Sequence, residues 1–323
     1  MTSITRICVE RILPKHQDYY DSIKNDDKLS AAFFKSKLWA NGRTITITFL
    51  DNPSKNQPRT SMSSMKKVGR VGSIDPLQKQ LENSPLKDAV KTIVKERISP
   101  LVNLNFVFVD DKNADIRISF ADENASWSMV GTDSEHEKSK GTPSMNLGWF
   151  DVGTYIHEFG HALGMIHEHQ NPKGSYGIKW DIPKVVSYME ETQGWDKKEV
   201  EKNVIGKYKL DQINGSQFDP LSVMLYFFPN DLTTNNKGTR QNFRLSGIDT
   251  EWLSKTYPGG RSKPVDFYQR VYGESLASSI SNSNSLRKNM GKGSSKVGMI
   301  IGMIFAGMIF TIIIFLIFYL IKK

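Results

Sequence analysis

Residues 157 to 167 read His-Glu-Phe-Gly-His-Ala-Leu-Gly-Met-Ile-His, and this run constrains the fold more than any other part of the chain. Four of the six histidines, His157, His161, His167 and His169, fall within thirteen residues. Four residues apart on a helix, His157 and His161 leave the same face one turn apart and can bind one ion. Gly164 follows where the helix can end in a left-handed turn without a Cβ penalty, which lets the chain bring His167 toward that ion from another side. Three neutral imidazoles with an open fourth position suit a hydrolytic zinc. Zinc lowers the pKa of its water to roughly 7. Glu158, beside the first ligand, is placed to hydrogen-bond that water and act as general base. The same run supplies an ordinary apolar helix face through Tyr155, Ile156, Phe159, Ala162, Leu163 and Ile166. A buried helix with incidental histidines and a non-catalytic zinc site are therefore the competing readings. Glu158, which binds no metal, has no use in either.

The motif has the metzincin form, and from about Trp39 to Pro258 the chain resembles the astacin family. Ser222-Val223-Met224-Leu225-Tyr226 resembles the Met-turn, in which Met224 is an apolar floor beneath the histidines. The resemblance implies that Tyr226 stabilises the oxyanion and that Glu168 anchors a buried interaction behind the site. Leu38 to Ile45 is similar to the opening of a mature astacin domain, and Ser126 to Gly131 to the edge strand that pairs with substrate backbone. His167 to Pro172, Ser246-Gly247-Ile248-Asp249 and Tyr257-Pro258 resemble the microbial and viral members more than the animal ones. The implied fold is α+β: a twisted, mostly parallel sheet with an edge strand, a zinc helix, and an irregular C-terminal half holding the Met-turn. Leu225 stands where many relatives have a histidine, at a position next to the site that is not one of the three ligands.

Animal astacin domains carry disulfides, whereas this chain has one cysteine, Cys8. No internal disulfide can form, so the fold must stand on its core alone. A domain of roughly 220 residues buries about 70% of its unfolded surface, which suffices. A reducing compartment is the natural setting. No latency motif surrounds Cys8, and the aspartate switch of astacin propeptides is not evident in residues 1 to 38; Cys8 reads as a small hydrophobe.

Val297 to Ile321 runs 25 residues without a charge. As a helix it spans roughly 37 Å, enough to cross a hydrocarbon core of about 30 Å with tilt. Only Lys322 and Lys323 follow, and Met1 to Glu10 has no apolar core of signal length, so the chain reads as single-pass and tail-anchored. Arg287, Lys288, Lys292 and Lys296 precede the span and favour a cytosolic catalytic domain; if the source is viral, a host or virion membrane is meant. Gly298, Gly302 and Ala306 make a small-xxx-small face that allows a homodimer. The expected organisation is an N-terminal extension 1–38, the protease domain 39–258, a basic Ser/Asn-rich linker 259–296, flexible over its last part, a transmembrane helix 297–321 and the tail 322–323.

Within the domain, Arg43–Leu50, Asn105–Val109 and Asp115–Phe120 read as strands. Leu86–Ile98 has a helical period, as does the stretch near Ile182–Glu191. Polar Asp51–Pro76 reads as a long loop. A net charge of +9 invites a nucleic-acid reading, but the lysines are dispersed, and attraction to an anionic bilayer accounts for the excess at the linker. No nucleic-acid partner is expected. The functional expectation is a membrane-tethered zinc endopeptidase acting on proteins or peptides, with one zinc per chain. Its alternatives are an inactive zinc-containing binding module and a structural viral membrane protein.

Overall fold

The computed structural model describes residues 7–11, 33–54, 56–60, 71–121, 125–172, 178–207, 213–214 and 217–289. In chain order the strands are β1 (Ile7–Arg11), β2 (Phe33–Phe34), β3 (Thr44–Phe49), β4 (Val71–Ile74), β5 (Asn105–Phe108), β6 (Ile116–Ser119), β7 (Ala125–Met129), β8 (Met145–Leu147), β9 (Ile213–Asn214) and β10 (Gln241–Phe243). The α-helices are α1 (Leu77–Leu81), α2 (Leu86–Ile93), α3 (Val152–Ala162), α4 (Ile182–Gln193), α5 (Lys197–Val200), α6 (Gly247–Thr256) and α7 (Pro264–Tyr272). An eighth, α8, covers residues 276–289.

Alternating Thr and Ile place Ile45 and Ile47 of β3 in the core. β3 pairs in parallel with β5 on one side and β6 on the other. β6 continues in parallel to β8, against which β7 runs antiparallel. β1 lies along the outer edge of β7, parallel to it, and completes the order β1-β7-β8-β6-β3-β5. This is the mixed, mostly parallel sheet that the resemblance implied, except that the expected edge strand β7 is covered by β1. Apolar residues at Leu86, Ala89, Val90 and Ile93 bury one face of α2, and the core they join includes Tyr155, Ile156 and Phe159 of α3.

Three expectations need correction. The stretch 51–76 contains β4, which pairs in parallel with β10; a short Val-Gly-Ser-Ile strand has no periodicity to read, and its partner is far downstream. Residues 259–296 contain α7 and α8 instead of an extended linker. The apolar content of α8 is low, but Leu276, Ser279 and Ser283 are buried beside Phe267 and Tyr268 of α7; serines that read as solvated are small enough to pack closely. The irregular C-terminal half also gains a second, smaller core, where Val185 and Met189 of α4 meet Val200, Val204, Tyr226, Phe228 and Leu232. The expected span 297–321 and its Gly298, Gly302 and Ala306 face lie outside the described residues. Among the described residues no helix is long and apolar enough to cross a membrane.

Candidate metal centre

α3 is fixed at both ends before any metal is considered. At its start the Asp151 carboxylate accepts from the Thr154 amide at 2.6 Å and the Thr154 hydroxyl at 2.7 Å, a side-chain cap of the helix N-terminus. Gln78 of α1 accepts from the Val152 amide at 2.7 Å. At its end two carbonyls without an intrahelical partner are taken by side chains: Trp39 Nε1 donates to Ala162 O and the Tyr257 hydroxyl to Leu163 O, each at 2.8 Å. Trp39 and Tyr257 bound the stretch that resembles a known domain, and here they meet at the last turn of one helix.

His157 and His161 lie on that helix and His167 five residues beyond its end. The chain turns at Gly164, whose φ of 92° is in the left-handed region, and the Met165 carbonyl then lies 2.8 Å from His161 Nδ1. His157 Nδ1 is 2.8 Å from the Val223 carbonyl. Since a carbonyl only accepts, both rings carry their proton on Nδ1 and turn the Nε2 lone pair inward, the tautomer a metal ligand requires. His161 Nε2 and His167 Nε2 are 2.9 Å apart, and ligand atoms of all three histidines fall within 4.8 Å of one another. His157 Nε2 is buried and has no hydrogen-bond partner among the described residues. Converging lone pairs in a buried site call for a cation, and three imidazoles are a donor set zinc accepts. Burial pushes the His157 pKa down to about 4. His161 and His167 are held well below the ordinary value by burial and then by their neighbouring histidines. All three are therefore neutral, ligand-ready imidazoles at neutral pH.

Glu158 is wholly buried on the same helix, three residues before His161 and hence its neighbour on the helix surface. Tyr226 arrives from the Met-turn, with its ring 4.1 Å from that of His167 and 6.0 Å from that of His157. Met224 sits under α3 at Gly160, where a Cβ would come within 2.6 Å of the Met224 sulfur and push it from its place. Sequence reasoning places His157, His161, His167, Glu158, Met224 and Tyr226 in one neighbourhood, and the structure brings the three histidines, Met224 and Tyr226 together.

Underneath lies a network of which sequence reasoning names only Glu168, through the resemblance, and misses the rest. The Asp249 carboxylate accepts from the Ser222 hydroxyl at 2.8 Å and from the Val223 amide at 2.9 Å, so it fixes the turn whose carbonyl orients His157. Glu168 accepts from Asn171 Nδ2 at 2.8 Å and the Asp219 amide at 2.7 Å; burial and then the Asp219 charge raise its pKa well above the carboxylate range. The signal available is Ser246-x-x-Asp249, a capping box formed at the start of α6. Nothing in such a box announces that its carboxylate also holds a distant turn. His169 belongs to the same histidine cluster, and its ring stacks on that of Tyr226 at 4.8 Å.

A model of the Astacin peptidase family matches residues 78–239. Among solved structures, myroilysin is similar at 31% identity with a TM-score of 0.55, over 71% of this chain and 99% of that one. Zinc metalloproteinase nas-24 of Caenorhabditis elegans is 31% identical over 96 residues, which are 28% of this chain and 24% of that protein. The chain thus spans about a quarter of the length of this curated relative.

Proposed function

The chain belongs to the astacin family of zinc metallopeptidases, and on that premise we propose that it is a metalloendopeptidase whose zinc is held by His157, His161 and His167, with Glu158 as general base and Tyr226 as oxyanion donor. The observation that carries the assignment is the convergence of the three imidazoles, two of them oriented by backbone carbonyls. When bound there, zinc supplies Lewis acidity, which polarises the scissile carbonyl and makes water acidic near neutral pH. The Glu158 carboxylate takes a proton from the attacking water and passes it to the leaving amine nitrogen. The Tyr226 hydroxyl donates to the oxygen of the former carbonyl as charge builds on it. A burial that keeps the imidazoles neutral, and Met224 packed beneath them, hold the ligands in the form and place this chemistry needs.

The finer assignments follow the same reading. β7 is the strand along which substrate backbone pairs once β1, which lies along its outer edge, gives way. The apolar run 297–321 tethers the enzyme to a membrane, with the basic flank Arg287, Lys288, Lys292 and Lys296 and the lone cysteine supporting a cytosolic catalytic domain. Gly298, Gly302 and Ala306 offer a dimer contact within that run, and the resemblance favours a microbial or viral setting.

Replacing Glu158 by Ala tests the core of the proposal. The variant is expected to keep about one zinc per chain and to lose chelator-sensitive cleavage of casein or a peptide library. An active variant sinks the base assignment. A zinc-loaded parent that cleaves nothing points to an inactive binding module instead.

A further inference from the structure

We propose that α8 belongs to the scaffold that sets the metal-centre geometry, and that Ser283 is its positioning residue. The inference rests on the zinc site just described and concerns a helix beyond residue 258. Asp219 is buried, and both of its carboxylate oxygens are occupied. Oδ2 accepts from the Ser246 hydroxyl at 2.5 Å, while Oδ1 accepts from the Leu221 amide at 2.9 Å and from the Ser283 hydroxyl. Ser283 therefore supplies one of the donors that hold this carboxylate.

From Asp219 two routes lead to ligands. Ser246 Oγ, which donates to Asp219, also accepts from the Asp249 amide at 2.9 Å. Asp249 in turn fixes the Val223 amide at 2.9 Å, and the Val223 carbonyl lies 2.8 Å from His157 Nδ1. On the other side the Asp219 amide donates to Glu168 Oε1 at 2.7 Å, and the Glu168 amide to the Met224 carbonyl at 3.0 Å. Glu168 directly follows His167, so a shift of Asp219 reaches the first ligand through Val223 and the third through Glu168.

α8 is fitted to this place. Leu276, Ser279 and Ser283, at i, i+3 and i+7, are the buried face of the helix. Ser279 Oγ accepts from the Gly247 amide at 3.1 Å and is hydrogen-bonded to the Tyr268 hydroxyl at 2.7 Å. A Cβ at Gly247 would meet Ser279 Cβ at 3.1 Å, so α6 and α8 are in close contact where α6 begins. A helix that merely leads away from a domain has no reason to bury two hydroxyls, because each needs a partner to offset its desolvation. A chain ending with α7 at residue 272 would keep every ligand and lose the Ser283 donor.

The test uses the full chain in detergent, with Ser283→Ala, Ser283→Thr and, as a control exposed on the same helix, Ser285→Ala. Zinc affinity is measured by chelator competition, ligand geometry by the visible spectrum of the cobalt-loaded protein, and kcat and KM on one peptide. Ser283→Ala is expected to bind zinc about tenfold more weakly, the low end of losses seen for groups behind metal ligands. It should also shift the cobalt bands and lower kcat with KM within about twofold; Ser283→Thr restores all three, and Ser285→Ala matches the parent. Parent-like zinc affinity and cobalt bands in Ser283→Ala overturn the proposal, whatever its melting point, and so does failure of Ser283→Thr to restore them. Should Ser283→Ala not fold, Ser283→Cys, which keeps the volume and weakens the donor, is read by the same criteria. A parent that binds no zinc overturns the proposed function and this inference together. A zinc-binding, peptide-cleaving parent indifferent to Ser283 overturns this inference alone.

Discussion

His157 and His161 each place Nδ1 against a backbone carbonyl, so their ring orientations follow the path of the chain at Val223 and Met165. The path at Val223 is in turn held by Asp249, and the state of that carboxylate matters to the whole underside of the site. Burial, and then the Asp219 charge, push the Asp249 pKa up to about 6, against the Ser246, Val223 and Ser222 donors that pull it down. A folded pKa above the ordinary 3.8 means that the folded protein takes up this proton first as pH falls. The resulting contribution to stability is fully present below the ordinary value and is lost as pH rises through about 6. Asp249→Asn keeps the size and removes the titration. The melting-point deficit of the variant against its parent is therefore expected to be larger at about pH 5 than at about pH 7. A deficit that is constant, or larger at the higher pH, would show that Asp249 is not held in this way.

β7 resembles an edge strand for substrate, and in the structure its outer edge is covered by the chain itself. β1 runs parallel along it, with Ile7 opposite Ala125, Cys8 opposite Ser126 and Arg11 opposite Met129. A strand tethered to the same molecule competes at an effective concentration on the order of millimolar. A peptide supplied at about 0.1 mM is thus at roughly a tenfold disadvantage for the same backbone groups. Removing residues 1–11 is expected to raise the rate at which a short peptide at about 0.1 mM is cleaved by up to about that factor; an unchanged rate would mean that β1 does not stand in the substrate's way. The pairing is not legible in the sequence, because five residues in an N-terminal extension give no period long enough to distinguish a strand, and nothing in them names β7 as partner. β4 is hidden for the same reason, whereas β3 and α2, with their repeated β-branched and i, i+3, i+4 apolar patterns, are legible nearly to the residue, the expected helix to Ile98 being completed by a π-helical turn over Val94–Ile98. The ligands are legible because one ion demands one helix face and one turn. Met224 and Tyr226 are legible only through resemblance, since a methionine in a loop has no chemical signature. α8 is hidden because serines at its buried positions look like a solvated linker until their partners Asp219 and Gly247 are seen.

At the scale of the molecule, α8 changes how far the proposed catalytic domain stands from a bilayer. The last described helix ends at residue 289 and the apolar run begins at Val297, which leaves seven residues between them. Fully extended, seven residues reach at most about 25 Å, so a tether through the apolar run would keep α8 within that reach of the surface. Lys292 and Lys296 lie in that short interval and Arg287 and Lys288 just before it, on a chain of net charge +9. Each such residue near an anionic leaflet adds about 1 kcal/mol of attraction, which favours the cytoplasmic face. In cells the chain is expected to pellet with membranes and to resist carbonate extraction, while protease added outside intact vesicles digests the catalytic domain. Deleting residues 297–323 removes the apolar run and leaves every ligand and α8 in place, so it should release a soluble protein that still binds zinc. A catalytic domain protected within the vesicles would reverse the topology and leave the metal centre untouched. A full chain that carbonate strips from the membrane would remove the tether itself, and with it the expectation that the enzyme works on substrates near a bilayer.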